Sequence, residues 1–217
     1  MIKLLGINKN YGELAVYKDF DFEISENKIL AVLGESGSGK TTLLNIIAGL
    51  TDYEGKIEGE VSPVSFVFQK DRLVPNLTVK QNLELFCPAA DIDGALKEVG
   101  LIDKANSYPK NLSGGQARRV AILRAFLYPS SVLLMDEPFI NLDLSLKFSL
   151  IDMIKKMQQN SPRTVIIVTH DVKEAISVAD EVAVISAGKC VYKTNEITKK
   201  TENKLFGLML NINKDNS

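Results

Sequence analysis

The sequence predicts an α/β fold: a mostly parallel sheet, an antiparallel β portion near the N-terminus and an inserted helical subdomain. Three observations predict it. Short apolar, β-branched runs recur at Ile29–Leu33 and at residues 64–68, 132–135, 165–168 and 182–185. Helical patterns lie between several of them, and Leu146, Leu150, Met153, Ile154 and Met157 share one helical face. Continuous apolar strands alternating with helices indicate a parallel sheet covered on both sides, because neither face is left for polar residues. The first residues differ: Phe20, Phe22 and Ile24 alternate with Asp21 and Glu23, as in a half-exposed antiparallel strand. The 217 residues read as one domain over 1–217, long enough for a sizeable core. The core is expected at about 1–68 and 130–217. No comparable strand run falls between Gln69 and Pro129, so the helical subdomain is placed at about 69–129. The tail from Thr194 is polar and rich in Lys and Asn, with one apolar patch at residues 205–210.

The first of these strands runs into Gly34-Glu35-Ser36-Gly37-Ser38-Gly39-Lys40-Thr41, which has the G-x-x-x-x-G-K-[ST] form of a phosphate-binding loop. Residues 41–48 continue with helical spacing, so the loop stands between a strand and a helix, where the chemistry needs it. The glycines let backbone N–H groups turn toward one point without Cβ clashes. The helix that opens at Thr41 and Thr42 aims its positive end at the same point, which suits a polyphosphate. Lys40 can reach the β- and γ-phosphates, and the Thr41 hydroxyl can ligate Mg²⁺.

Composition narrows the class further. Charged residues make up 24% and the net charge is −1, so no basic footprint for nucleic acid stands out. No apolar run approaches membrane-spanning length, and the N-terminus lacks a signal-peptide pattern. Cys87 and Cys190 stand far apart and form no C-x-x-C, so two reduced thiols and a cytosolic protein are expected.

Leu112-Ser113-Gly114-Gly115-Gln116 is the second strong pattern. Ser113 reads as a helix N-cap, and the two glycines keep the helix mouth open to close approach. That helix would carry Val120, Ala121, Leu123, Arg124 and Leu127 and stop at Pro129. The next apolar run ends in Met135-Asp136-Glu137-Pro138. A buried strand ending in two acids places carboxylates beside a phosphate loop. Asp136 would hold Mg²⁺ through water, and Glu137 would orient or deprotonate an attacking water.

Together these residues resemble an ATP-binding cassette ATPase, and the resemblance covers nearly the whole chain. It implies a P-loop NTPase (RecA-like) core and ATP and Mg²⁺ as cofactors. It also assigns further positions. Tyr11 matches the aromatic that stacks on adenine, with Val16 beside it. Gln69 matches the glutamine that touches Mg²⁺ and water and senses the membrane partner. Asp143 matches the loop that crosses to a second subunit, although Ile140-Asn141-Leu142-Asp143 departs from the usual Ser-Ala-Leu-Asp. His170, the one histidine, follows the run 165–169 and matches the switch histidine that contacts the γ-phosphate. The implied site is shared by two copies: Lys40, Thr41, Gln69, Asp136, Glu137 and His170 from one, Ser113 and Gly115 with their neighbours Gly114 and Gln116 from the other.

The leading expectation is the motor subunit of a membrane importer of the nitrate, sulfonate and taurine group, since the stretch 68–79 looks like theirs. Its partners would be transmembrane permease subunits, a second copy of itself and, through the permease, an extracytoplasmic solute-binding protein. It would sit in the cytoplasm, peripheral on the inner face of the cell membrane. Leu73, Val74, Pro75 and Leu77 would offer an apolar surface to the permease, and the chain has no room for a C-terminal regulatory domain. The alternatives are a soluble cassette ATPase acting in repair or on the ribosome, an exporter subunit, and a phosphate-loop kinase. Repair cassettes usually carry long coiled coils, and a kinase would not need Leu-Ser-Gly-Gly-Gln.

Overall fold

The computed structural model describes residues 1–215, with side chains through Ile212. Two sheets clasp one helix. Strands β1 (Ile2–Tyr11), β2 (Leu14–Ile24) and β4 (Glu54–Glu58) form an antiparallel sheet in the order β2-β1-β4. Strands β3 (Ile29–Leu33), β5 (Val64–Val67), β6 (Val132–Asp136), β7 (Thr164–Thr169), β8 (Glu181–Ser186) and β9 (Lys189–Thr194) form the second sheet, in the order β5-β6-β7-β3-β8-β9. All its pairings are parallel except β8 with β9. The order puts β3 at the centre, so the turn leaving its carboxyl end opens at the middle of the sheet edge, where open α/β sheets bind ligands.

Alternation in β3 shows why this strand is apolar throughout. Leu30 and Val32 face a core that contains α1 (Lys40–Ile47) and the antiparallel sheet, through Leu43, Leu44, Ile46, Ile2, Leu4 and Phe22. Ala31 and Leu33 face the other side, under α6 (Val172–Val178) and α7 (Lys199–Asp215). The same outer layer continues with α4 (Gly114–Leu127) and α5 (Leu144–Asn160), whose Ile122, Phe126, Leu150 and Ile154 cover Leu133, Met135, Val165 and Ile167. Each such side chain contributes roughly 1.5–3 kcal/mol when fully buried.

The stretch between β5 and β6 carries α2 (Val79–Glu84), α3 (Ile92–Glu98), two short 3₁₀ turns and α4. These helices share a satellite core of Val79, Leu83, Leu96, Leu101, Val120 and Leu123. Leu73 packs against that core and Leu77 is half-buried, so the apolar surface expected from these two side chains is largely turned inward. The physical reason is that α2 and α3 are too short to enclose a core alone and draw in the segment before them. Helix starts follow the expected chemistry. Thr78, Asp91, Ser113, Asp143 and Asp171 each accept a backbone N–H at the first turn of their helix.

Candidate nucleotide-binding site

The turn from β3 to α1 is shaped by close approach. A Cβ on Gly34 would lie 2.4 Å from the Ile185 carbonyl oxygen and 2.5 Å from Ser38 Oγ. Gly39 has φ 103°, and a Cβ there would meet the Tyr17 hydroxyl at 2.9 Å. Tyr17 itself is buried and donates to the Gly39 carbonyl at 2.9 Å, and burial pushes its phenol well above the usual tyrosine range. The loop is therefore held from beneath by β2 while its upper side opens on a cleft of about 750 Å³.

Lys40 is buried, and its ammonium donates to the carbonyls of Gly34 at 2.8 Å and Glu35 at 2.6 Å. Burial lowers its pKa, opposed by the charges of Glu137, Asp136 and Glu35. Thr41 donates to both Asp136 oxygens at 3.2 and 3.3 Å. Burial pushes the Asp136 carboxyl up, against the Thr41 bond and the Lys40 charge. Beyond Asp136 the chain turns at Glu137, whose φ of 48° lies in the left-handed region. Such backbone costs about 1–3 kcal/mol in a non-glycine residue and clusters at functional sites. Its N–H is tied to the Val168 carbonyl at 3.0 Å, and its carboxylate accepts from His170 Nδ1 at 2.9 Å.

Nucleotide and metal fit these residues. Ser38 Oγ is buried without a hydrogen-bond partner, and Gly39 gives α1 no side-chain cap, so loop donors remain for phosphate oxygens. Gly37, with φ 81°, has open space where a Cβ would stand. Among the described residues no group of three or more His, Cys, Asp or Glu side chains could hold a metal. A hydroxyl beside one carboxylate suits Mg²⁺ that arrives with phosphate and water as its other ligands.

The structure gathers Tyr11, Val16, Glu35, Ser36, Gly37, Gly39, Lys40, Thr41, Thr42, Gln69, Asp136, Glu137 and His170 around the one cleft. It does not bring Ser113, Gly114, Gly115, Gln116 or Asp143 there. Those residues open α4 and α5 and stand beside one another, since a Cβ on Gly115 would touch Leu146 at 3.0 Å. The Ser113 hydroxyl accepts from the Gln116 N–H at 3.2 Å, which leaves its own proton to donate outward. Asp143 accepts from the Leu146 N–H at 2.9 Å. Sequence reasoning missed Leu14, Ile140 and Met209 as lining and Tyr17 as the support of the loop. Leu14 stands two residues before Val16 on one face of the same strand, and that spacing was the available signal for it.

His170 offers a direct test, because it supplies the one imidazole signal in the protein. Its ring ¹H and ¹⁵N shifts should move when a non-hydrolysable ATP analogue binds with Mg²⁺, and move less with ADP. Identical spectra in the free, ADP and analogue states, with binding shown independently, would remove it from the site.

Fold and cleft together define a phosphate-loop nucleotide hydrolase. A family model described as ABC transporter matches residues 17–140. The aliphatic sulfonates import ATP-binding protein SsuB of Delftia acidovorans is 42% identical over 195 residues, spanning 87% of this chain and 80% of that protein. SsuB 3 of Paraburkholderia xenovorans (strain LB400) is 39% identical over 193 residues, spanning 87% and 78%. Among solved structures, the dimeric post-hydrolysis state of the ATP-binding cassette MJ0796 bound to ADP and Pi aligns with a TM-score of 0.78 at 29% identity. That alignment covers 89% of this chain and 98% of that one. The chain belongs to the ABC transporter family, as an ATPase subunit of the importer type.

Proposed function

We propose that this chain is the ATP-hydrolysing subunit that powers a membrane importer, working as a dimer with each ATP held between two copies. One observation carries the shared-site reading: the cleft is complete around the phosphate loop but lacks residues 113–116, which stand elsewhere on the same chain. A second copy can supply them across the cleft. ATP then favours the closed pair because only that state completes its contacts.

Within one copy, Lys40 and the loop N–H groups bind the β- and γ-phosphates, and Tyr11 stacks on the base beside Val16. Thr41, Asp136 and Gln69 would hold Mg²⁺, which would supply charge neutralisation at the phosphate oxygens. Glu137 accepts the proton of the attacking water, and His170 orients Glu137 while facing the γ-phosphate. The partner's copies of Ser113, Gly114, Gly115 and Gln116 cap that phosphate, and Asp143 lies at the crossing between subunits.

Among the described residues no helix is long and apolar enough to cross a membrane. The relatives' names favour import over export and point to sulfonates. Contacts that choose the cargo would lie on the permease and on an extracytoplasmic solute-binding protein. The chain itself would work at the cytoplasmic face of the membrane.

The permease seat best supported by geometry is a groove of about 430 Å³ beside α4. The Phe66 and Phe68 rings stack there at 4.2 Å, Arg72 lies 3.5 Å over Phe68, and Arg124 lies 5.2 Å over Phe86. Phe86 is 46% exposed, an open anchor for a short helix. Replacing it with Asp should weaken assembly with the permease by roughly 2 kcal/mol or more, the scale of an aromatic hot spot. Hydrolysis by the isolated chain should continue. Pull-down of the permease from native membranes, alongside phosphate release with no added acceptor, tests both halves. Unchanged assembly would move the seat elsewhere, and ADP formation that requires an acceptor and yields no free phosphate would make the chain a kinase.

A further inference from the structure

Arg118 is buried on α4, one turn past the glycines of 114–115. Its guanidinium donates to the carbonyls of Phe68 at 2.8 Å and Gln69 at 2.5 Å. Its Nε faces the Asp71 carboxylate at 3.1 Å. Arg124, on the same helix, donates to the carbonyls of Asp71 and Arg72, both at 3.2 Å. Two side chains of one helix thus hold four carbonyls within residues 68–72. This segment leaves the edge strand β5 and crosses to the helices, and Gln69 stands on it with its side chain at the cleft.

We propose that Arg118 is a positioning residue for hydrolysis: it fixes the backbone of Gln69, and so the place where that side chain enters the nucleotide cleft. The inference rests on the reading of Gln69 as a group that meets metal and water. Gln69 lies just past the end of β5, so sheet pairing does not fix its peptide. A planar fork that grips the Phe68 and Gln69 carbonyls holds the two peptides that flank the Gln69 Cα, which a single ammonium cannot do with comparable definition. The Asp71 carboxylate keeps the fork turned toward these carbonyls. Because the fork is rooted in α4, Gln69 and the start of α4 move together, and the glutamine is in place only when the helix is. A displacement of the order of 1 Å at such a group costs roughly a hundredfold in rate while leaving binding to the phosphate loop intact.

The test is a double-mutant cycle on the full chain, with Arg118→Met and Gln69→Ala made singly and together, and kcat and KM for MgATP measured. Arg118→Met should lower kcat roughly tenfold to a hundredfold with KM changed less than about threefold. The double variant should hydrolyse at the rate of Gln69→Ala alone, because a strut has nothing left to position. Arg118→Lys should fall between Arg118→Met and the parent. If Arg118→Met does not fold, as thermal unfolding would show, Arg118→Lys takes its place in the same cycle. Losses that multiply in the double variant, or a parental kcat after substitution of Arg118, overturn the proposal. A parental kcat for Gln69→Ala alone instead removes the glutamine from the chemistry, and that failure belongs to the underlying reading of the site.

Discussion

Lys40→Ala abolishes ATP hydrolysis and weakens MgATP binding roughly tenfold to a hundredfold. The expected loss follows from charge-assisted hydrogen bonds worth about 1.5–3 kcal/mol, removed where the β- and γ-phosphates meet the loop. The rate suffers more than affinity, since charge on the transferred group is stabilised almost wholly by positioned cations and N–H groups. The fold should tolerate the change. Lys40 is tied to the loop's own carbonyls at Gly34 and Glu35, and both belong to the turn that borders the open cleft. The buried contacts of α1 come from Leu43, Leu44 and Ile46 instead. Calorimetric titration with MgATP and a phosphate-release assay measure the two effects. Parental hydrolysis in this variant would mean that the phosphate loop is not the catalytic seat.

Sequence alone carried the parts of this protein where local pattern and tertiary role coincide. Strands β3, β6, β7 and β8 are apolar on both faces because helices or a second sheet cover both, so each reads as an unbroken run. The Ser113 cap was legible because Gln116 follows at the reciprocal position, and the structure shows both bonds of that capping box. Strand β1 escaped notice because its alternation fails at Gly6, where φ is 56° and the register with β2 shifts between Leu4 and Ile7. Strand β4 escaped because Glu54, Gly55, Lys56 and Glu58 are exposed at the edge of a three-stranded sheet. Helix α7 hides in a Lys- and Asn-rich tail because its buried face is narrow. Leu205, Met209 and Ile212 meet the core, while Phe206 and Leu210 are exposed.

Site residues divide in the same way. Those on a motif could be named from spacing, because the spacing is the chemistry. Tyr17 could not, since its hydroxyl matters only once β2 lies beneath Gly39. No motif names Arg118, and only the folded chain shows it reaching across to Gln69. One part of the expected docking surface folds inward for a related reason. An apolar segment before α2 has two possible destinations, a partner or the satellite core, and Leu73 takes the second.

Glu137→Gln should lower hydrolysis by roughly a hundredfold to ten-thousandfold, the scale of a lost general base, while ATP still binds. The amide keeps the shape of the side chain, and its oxygen can still accept from His170 Nδ1, so the cleft geometry is preserved. What it cannot do is take the proton of the attacking water. The backbone at Glu137 gives a further reason to expect a clean result. Its left-handed φ and its N–H bond to the Val168 carbonyl are set by the turn out of β6, and the substitution leaves both untouched. With turnover blocked, bound ATP should accumulate at the junction between the phosphate loop of one copy and residues 113–116 of the other. The variant should therefore elute as a dimer in size-exclusion chromatography with MgATP and as a monomer without nucleotide. The parent, which converts its ATP to ADP, should show far less dimer under the same conditions. Ser113→Arg in the same background separates the shared site from any other contact between copies. It adds a long cation where the helix mouth must approach phosphate, and it removes the hydroxyl that can donate there. Loss of the ATP-dependent dimer in that double variant, with ATP binding retained, would assign the junction to the start of α4. A Glu137→Gln chain that binds MgATP and stays monomeric at high protein concentration would mean that one copy holds its nucleotide alone.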